Sequence, residues 1–366
     1  MKPFPKRSAW KWIVALRLAS AGLTAEESGS PIGQRLQVES DALVSSDIVL
    51  TQSSAEYGWK RGRTEWNSGL TLATQDLEYR PASFDFLGSE ATVSERRILG
   101  QVSGKQRVAE TLVLLGSFRA YDGFADYRSA WLNRYFSQQF TGLGYRDPEP
   151  SGQAGQAGFR WEVVPATTFL QADVSYARDR IAPGYEIDFD GLRRGRERLG
   201  TGSYHVSLET LAGRRVRLLG EVRATDTSDR EPRYSVQGSV NVALGERWVA
   251  RAFGGHATER PTFNASYAGA SVEYETEGGW AFGLTGRWYT DTGEIENTLF
   301  TTAAPSLEAL QGSVMIRKTH GAHSVALGAG PYFTEYGAAG IGTAFFGNLY
   351  RGRTWVSARL SYSFEF

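Results

Sequence analysis

Charged side chains recur at every second residue in many short segments of the chain. In one such segment Arg217, Glu221 and Arg223 share a parity, while Leu218 and Val222 occupy the other. A period of two is typical of a β-strand whose two faces meet different surroundings. Charges of both signs on one face can hold water, ions or polar solutes, and burying them in an apolar core would be costly.

In segment after segment, one set of alternate positions carries the charged residues, and Gly, Ser and Gln fill the remaining positions of that set. We call this set the charged parity. Arginines outnumber acidic residues on it, which favours anionic or polar solutes. The alternative is a network of arginine–carboxylate pairs that fills the interior and leaves no route through it. We predict that the following residues line a hydrated lumen: Arg97, Arg119, Arg160, Glu162, Asp173, Glu209, Arg217, Glu221, Arg223, Arg251, Glu273, Arg287, Arg317 and Arg359.

Catalytic and metal sites have little support in the residue types. There is no Cys, so thiol chemistry and thiolate metal sites are excluded. Of the four His, His256 with Glu259 nearby is the strongest candidate for catalysis, but no Ser or Asp completes a constellation. The acidic clusters at 186–190 and 226–231 match no defined calcium loop. We therefore predict no catalytic residue, no metal and no cofactor.

The alternating segments are joined by short and long connections, which alternate along the chain. This pattern is typical of a transmembrane β-barrel, in which tight periplasmic turns alternate with longer extracellular loops. The short connections are predicted at 60–63, 104–107, 165–168, 213–215, 245–247, 277–279 and 320–323. The long ones are predicted at about 80–93, 121–156, 178–200, 224–232, 257–263, 290–306 and 335–352.

The rhythm also gives a strand count. Seven hairpins supply fourteen strands between about 47 and 335, and 353–366 is the last strand. An even number requires one more strand at the start, for which 33–44 is the candidate. The sequence thus predicts an all-β fold, a single antiparallel transmembrane barrel of sixteen strands. Fourteen is the alternative, if residues 26–46 are instead a periplasmic tail or plug.

Three bulk features agree with a membrane barrel. The 40 basic and 40 acidic residues cancel, so the basic excess of a nucleic-acid-binding protein is lacking. Residues 1–25 resemble a secretory signal peptide cleaved near Ala21 or Ala25, which assigns 26–366 to the barrel. Aromatic residues are predicted at the two membrane–water interfaces, where amphipathic rings prefer to lie. Trp66, Phe169, Trp248 and Trp280 adjoin short turns, and Tyr79, Tyr121, Tyr176 and Tyr289 adjoin long loops.

The chain ends in "VSARLSYSFEF" (356–366), where Tyr362, Phe364 and Phe366 share the apolar parity. In this ending and in its size, the chain resembles Gram-negative outer-membrane β-barrels of the porin type. The resemblance implies location in the outer membrane and insertion by a barrel-assembly machinery that reads the last strand. It also implies lipid and lipopolysaccharide as partners, the latter through the basic segment 191–198, and permits an oligomer.

The same resemblance suggests a function. It implies a passive channel for small polar solutes, while a plugged structural barrel or the exit component of a polysaccharide or protein secretion system is the alternative. In classical porins the third loop narrows the lumen opposite basic wall residues. Here that loop is 121–156, facing arginines such as Arg217, Arg223 and Arg251, and the alternative is a cap over the mouth. Its constriction candidates are Trp131, Arg134, Tyr135 and Phe136.

Overall fold

The computed structural model describes residues 33–80, 91–124, 150–180, 185–188, 191–194, 198–228, 231–260, 263–293, 305–337 and 347–365. Sixteen strands close into an antiparallel barrel, and two short strands form a separate hairpin. Within these ranges no helix has the length and apolarity of a membrane span. The strands are β1 (Gly33–Val44), β2 (Ile48–Arg61), β3 (Thr64–Tyr79), β4 (Ala91–Arg107), β5 (Leu112–Gly123), β6 (Ser151–Val164), β7 (Thr168–Arg180), β8 (Tyr185–Asp188), β9 (Gly191–Arg194), β10 (Arg198–Ala212), β11 (Val216–Thr227), β12 (Arg233–Leu244), β13 (Trp248–Glu259), β14 (Phe263–Glu275), β15 (Trp280–Asp291), β16 (Leu307–His320), β17 (His323–Tyr336) and β18 (Arg353–Glu365).

The first and last strands close the barrel. β1 pairs with β18 over ten residues, from Arg35 opposite Glu365 to Val44 opposite Val356. Every other barrel strand pairs with its neighbours in the chain, except that β7 pairs with β10 because the β8–β9 hairpin lies between them. The predicted sixteen-stranded fold is confirmed, and its first strand is the segment 33–44. Closure leaves no unpaired sheet edge among the barrel strands, as a lipid environment requires.

Several predicted connections needed correction. The segment 104–107 belongs to β4, and the turn follows at 108–111. Gly104 suggested a turn, but it lies under the ring of Trp66, whose Cζ3 would be 2.9 Å from an added Cβ. Residues 151–156 belong to β6 rather than to the third loop, and the connection after Glu259 is only three residues long. Gly245, by contrast, is a true turn glycine with φ of 80°.

Large apolar side chains cover the outside of the barrel. Leu70 and Val356 are 59% and 60% exposed, and Leu284, Leu327 and Val314 are similar. An apolar surface that continues around the whole barrel would aggregate in water but matches the hydrocarbon band of a membrane. The outer face therefore meets lipid, and the charged parity faces inward.

The aromatic prediction is only partly right. Trp66, Trp248 and Trp280 lie on the outer face near the short turns, and Tyr176 lies on it near the opposite rim. Phe169, Tyr121 and Tyr289 point inward instead. Phe169 packs on Arg160, and the hydroxyl groups of Tyr121 and Tyr289 donate to Asp179 and Asp291. The position of a ring along its strand sets its depth in the membrane, but whether that position is odd or even decides which face of the barrel the ring occupies.

Candidate functional site: the charged lumen

The inner wall of the barrel encloses three adjoining cavities. The largest, about 680 Å³, follows β1–β4 and β14–β18, and Asp41, Arg97 and Arg359 are among its lining residues. Two more, of about 450 and 300 Å³, lie against β11–β15 and β13–β17. Arg287 lines all three, so the spaces meet at this side chain. Strand alternation places all fourteen predicted lumen residues on this inward face.

Some of the lumen arginines are held in ion pairs across strands. Arg359 Nε lies 2.6 Å from Asp41 Oδ1 and 3.1 Å from Glu39 Oε1, which ties β18 to β1 at the closure. Arg317 Nη2 lies 2.6 Å from Glu273 Oε1 and reaches across β15 to β14. These pairs neutralise charge locally on the wall.

A second ion-pair group centres on Glu209. Arg217 Nη2 lies 2.8 Å from Glu209 Oε2, and Arg160 Nη2 lies 3.4 Å from the same oxygen. The guanidinium of Arg160 also stacks on Phe169, 4.4 Å from the ring centre. Glu162, near the periplasmic end of β6, accepts a hydrogen bond from the backbone N–H of Ala166. Glu209 and Glu162 are therefore both engaged by donors within the wall.

A chain of hydrogen bonds runs around the wall from β6 to β11. Gln156 Nε2 donates to Asp173 Oδ1 at 2.8 Å, and Gln171 Nε2 donates to Asp173 Oδ2 at 3.1 Å. His205 Nδ1 lies 2.8 Å from Asp173 Oδ2, while its Nε2 lies 3.4 Å from Glu221 Oε2. One imidazole thus lies between two carboxylates of the wall.

The hydrogen-bond chain continues from β11 through β12 to β14. Gln237 donates to Glu221, and the Tyr267 hydroxyl donates to Gln237. Sequence analysis missed His205, Gln156, Gln237 and Tyr267 as members of this group. His205 has the parity of Glu209 on the same strand, so the alternation that identified Glu209 was sufficient to find it. Contacts that cross several strands, however, depend on register, which local alternation does not give.

Four lumen arginines differ from the rest. Arg119, Arg223, Arg251 and Arg287 make no ion pair with a carboxylate of the described residues. This holds although Glu221 shares β11 with Arg223, and Glu273 is on β14, between the strands of Arg251 and Arg287. All four side chains are exposed to the lumen. These four guanidinium groups contribute positive charge to the lumen wall on β5, β11, β13 and β15.

Residues 347–350, which precede β18, pack against the turn 45–47 at the mouth of the barrel. We call the following group the mouth cluster: Asp47, Asn348, Leu349, Arg353 and Trp355. Arg353 Nη2 lies 3.1 Å from Asp47 Oδ2, and both side chains are almost fully buried, at 1% and 0% exposure. Asn348 Nδ2 donates to Asp47 Oδ2 at 2.9 Å, and Trp355 and Leu349 are buried beside them. The cluster thus packs at the seam where β1 and β18 meet.

The electrostatics of Asp47 follow from these contacts. Burial alone would raise the pKa of its carboxyl group. The hydrogen bond and charge of Arg353, with the charge of Arg351 and the amide of Asn348, outweigh burial and hold the pKa below its ordinary value of 3.8. Asp47 is therefore ionised at neutral pH in spite of its burial.

No protein-family model and no curated protein matches the chain. Solved structures do match. CdiB from Acinetobacter baumannii superimposes with a TM-score of 0.53 at 8% identity, over 92% of this chain, which spans 61% of the length of CdiB. OccAB3 from Acinetobacter baumannii and a bacterial polysaccharide outer membrane secretin both reach 0.47, at 6% and 9% identity. They cover 92% and 91% of this chain and 100% and 98% of their own.

Closure of sixteen strands, an apolar outer face and the likeness to CdiB agree. The chain has the fold of an outer-membrane β-barrel. At such low identity the likeness concerns fold alone, and the lumen residues have to be judged by their own geometry.

Two of the three residues of the C-terminal signature lie on the described part of β18. Tyr362 and Phe364 face outward near the periplasmic end of β18. Phe364 stacks on His323 with ring centres 4.6 Å apart, and His323 Nδ1 lies 2.9 Å from the hydroxyl of Tyr362. Phe366 lies outside the described residues. Recognition of this strand by an assembly machinery stays a prediction.

The constriction loop is described only at its ends. Trp131, Arg134, Tyr135 and Phe136 lie outside the described residues, as does the signal-peptide segment 1–25. The first residue of the loop, Phe124, is buried and lines the largest cavity beside Arg97. The loop therefore begins inside the mouth, and the constriction role of its middle stays a prediction.

The histidine considered for catalysis is not part of a site with Glu259. His256 faces outward and lies 2.9 Å from Ser266 Oγ, whereas Glu259 faces inward and pairs with Arg233 at 2.7 Å. Residues at odd and even positions of one strand point to opposite faces. The two side chains are thus on opposite sides of the barrel wall.

Proposed function

We propose that the chain acts in the outer membrane as a passive channel for small polar solutes and favours anions over cations. The observation that carries this proposal is the unequal pairing of lumen charges. Glu209 and Glu273 are paired with arginines, while four lumen arginines have no described counter-charge. A lumen with fixed positive charge raises the local concentration of anions and lowers that of cations.

Single-channel recording in planar bilayers tests this proposal. Under a KCl gradient the reversal potential is expected to have the sign of chloride selectivity. The double variant Arg119→Gln/Arg223→Gln is expected to move it toward zero, because two of the four unneutralised charges are removed. Arg178→Gln is the matched control, since this arginine lies on the outer face of β7 and leaves the lumen charge unchanged. Cation selectivity of the unaltered protein would contradict the proposal.

A plugged barrel is the second candidate, and the mouth cluster favours it. Asn348 and Leu349 occupy the mouth as buried residues, and Asn348 is bonded to the carbonyl of Glu78 and the backbone N–H of Arg80. Such packing on one side of the mouth narrows the route from the surface. Absence of current from folded protein, with current restored by weakening the cluster, would support this second candidate.

A further inference from the structure

The inner wall of β13 and β14 carries two aromatic rings, each of which covers a glycine of the other strand. Phe253 extends over Gly269, where an added Cβ would be 2.4 Å from its Cζ. Tyr267 extends over Gly255, where an added Cβ would be 2.7 Å from its Cε1. Any larger residue at either glycine would push the ring off the wall and into the lumen. The two glycines therefore set a shallow aromatic surface beside an open space.

Two arginines flank this surface. The guanidinium carbons of Arg251 and Arg287 lie 5.3 and 5.5 Å from the ring centre of Phe253. Cation–π contact at this distance orients both groups without neutralising them. Neither makes an ion pair with a described carboxylate, and the nearby Glu221 is bonded to Gln237 and close to His205. The donors of Arg251 and Arg287 thus remain available to an anion.

The cavities beside these residues have the size of a ligand site. The 450 Å³ cavity is lined by Leu219, Arg251, Phe253 and Arg287, and the 300 Å³ cavity adds Tyr332. Volumes of roughly 300–1,000 Å³ are usual for small-molecule sites, which combine apolar surface with a few fixed polar groups. This combination is present here on one stretch of wall.

We propose that Arg251, Phe253, Tyr267 and Arg287 bind small aromatic carboxylates within the lumen. The carboxylate accepts charge-assisted hydrogen bonds from the two guanidinium groups. The ligand ring lies against Phe253 and Tyr267, at the offset distances that aromatic rings prefer. An inorganic anion would use only the arginines, and a neutral aromatic compound would use only the rings. The inference names the substrate class of the proposed channel and so rests on that function.

Equilibrium binding of benzoate to the purified, detergent-solubilised barrel tests the site independently of conductance. Isothermal titration with benzoate, acetate and benzyl alcohol is expected to show benzoate binding most tightly, because only it has both groups. Arg287→Gln is expected to weaken benzoate binding roughly tenfold, as loss of a charge-assisted hydrogen bond does. Phe253→Leu is expected to weaken benzoate binding about fivefold and leave acetate unaffected.

Arg119→Gln is the matched control for Arg287→Gln, because it removes the same charge from a strand eight positions away around the barrel. It is expected to leave benzoate affinity unchanged, and heat-modifiable migration on gels confirms that each variant is folded. Equal weakening by Arg119→Gln would mean that diffuse lumen charge attracts benzoate, which overturns the site. Acetate binding as tightly as benzoate would overturn it as well. A barrel that binds benzoate but passes no current would retain the site while refuting the channel.

Discussion

Deleting Ser40 alone is expected to prevent formation of the folded barrel, whereas deleting Glu39 and Ser40 together is expected to preserve it. β1 is anchored at its C-terminal end by the turn 45–47 and has no preceding barrel strand. A one-residue deletion therefore shifts residues 33–39 by one position and reverses their faces. A two-residue deletion shifts 33–38 by two positions and restores every side chain to its own face.

The energetic difference between the two deletions is large. After the single deletion, Glu39 moves from the lumen to the lipid face, and Leu36 and Val38 move from lipid into the hydrated lumen. Each apolar side chain so transferred loses about 1.5–3 kcal/mol. The carboxylate of Glu39 on the lipid face adds a further cost, smaller than the roughly 2–4 kcal/mol of an Arg or Lys at the midplane. Together these terms are comparable with the total stability of many proteins, about 5–15 kcal/mol. β1 also pairs with both β2 and β18, so its loss opens the barrel.

Refolding into detergent followed by gel electrophoresis with and without heating measures this effect. The two-residue deletion should show the faster-migrating folded form, and the one-residue deletion should not. Arg359 retains Asp41 as a partner in both variants, so the comparison isolates strand register. Equal folding of the two variants would show that register at the closure is not specified by the lipid-facing parity.

Replacing Asp47 with Ala is expected to cost about 3–5 kcal/mol, because it leaves the buried guanidinium of Arg353 without its counter-charge. Arg353 Nε and Nη2 both lie 3.1 Å from the carboxylate of Asp47. The remaining acceptors of Arg353 are the carbonyls of Asn348, Leu349 and Arg351, which carry no full charge. We expect the mouth cluster to open, with greater protease cleavage after Arg351 and a larger single-channel current.

Glu335→Ala is a suitable control for Asp47→Ala. Glu335 lies near the extracellular end of β17, opposite Glu308, and is outside the mouth cluster. The Glu335→Ala variant should leave the protease sensitivity and the single-channel current unchanged. The charge-conserving double replacement Asp47→Asn/Arg353→Met should recover part of the lost stability, since it removes the unpaired charge. Unaltered stability of Asp47→Ala would show that the buried pair makes no net contribution.

The buried pair of Asp47 and Arg353 predicts that the stability of the mouth cluster falls at acidic pH. The pKa of Asp47 is lower in the folded protein than its ordinary value of 3.8. Its contribution to stability is therefore complete above about pH 4 and is lost as the pH falls through the folded-state value. Protease cleavage of the mouth segment should rise in that acidic range for the unaltered protein. In Asp47→Asn, protease cleavage should already be higher at neutral pH and should not rise further in the acidic range.

Much of the fold could be predicted from the sequence because barrel strands have a local signature. Alternation along each segment assigned lumen and lipid faces, and the need for an even strand count identified 33–44 as the first strand. Connections with unusual composition were less predictable. The third loop was predicted to extend to residue 156, although 151–156 belong to β6, which supplies Gln156 to the network around Asp173. The outward positions there are Ser151, Gln153 and Gly155, which give no apolar signal.

The sequence by itself determined which side chains face the lumen, since a period of two is a property of each strand taken separately. Only the tertiary structure decided which of these charges neutralise one another. Arg317 reaches Glu273 across an intervening strand, whereas Arg251 and Arg287 meet Phe253 and no described carboxylate. Asp47 and Arg353 are 306 residues apart in the chain and meet only because the barrel closes. Such distances depend on the register of all sixteen strands, and no local pattern contains that information.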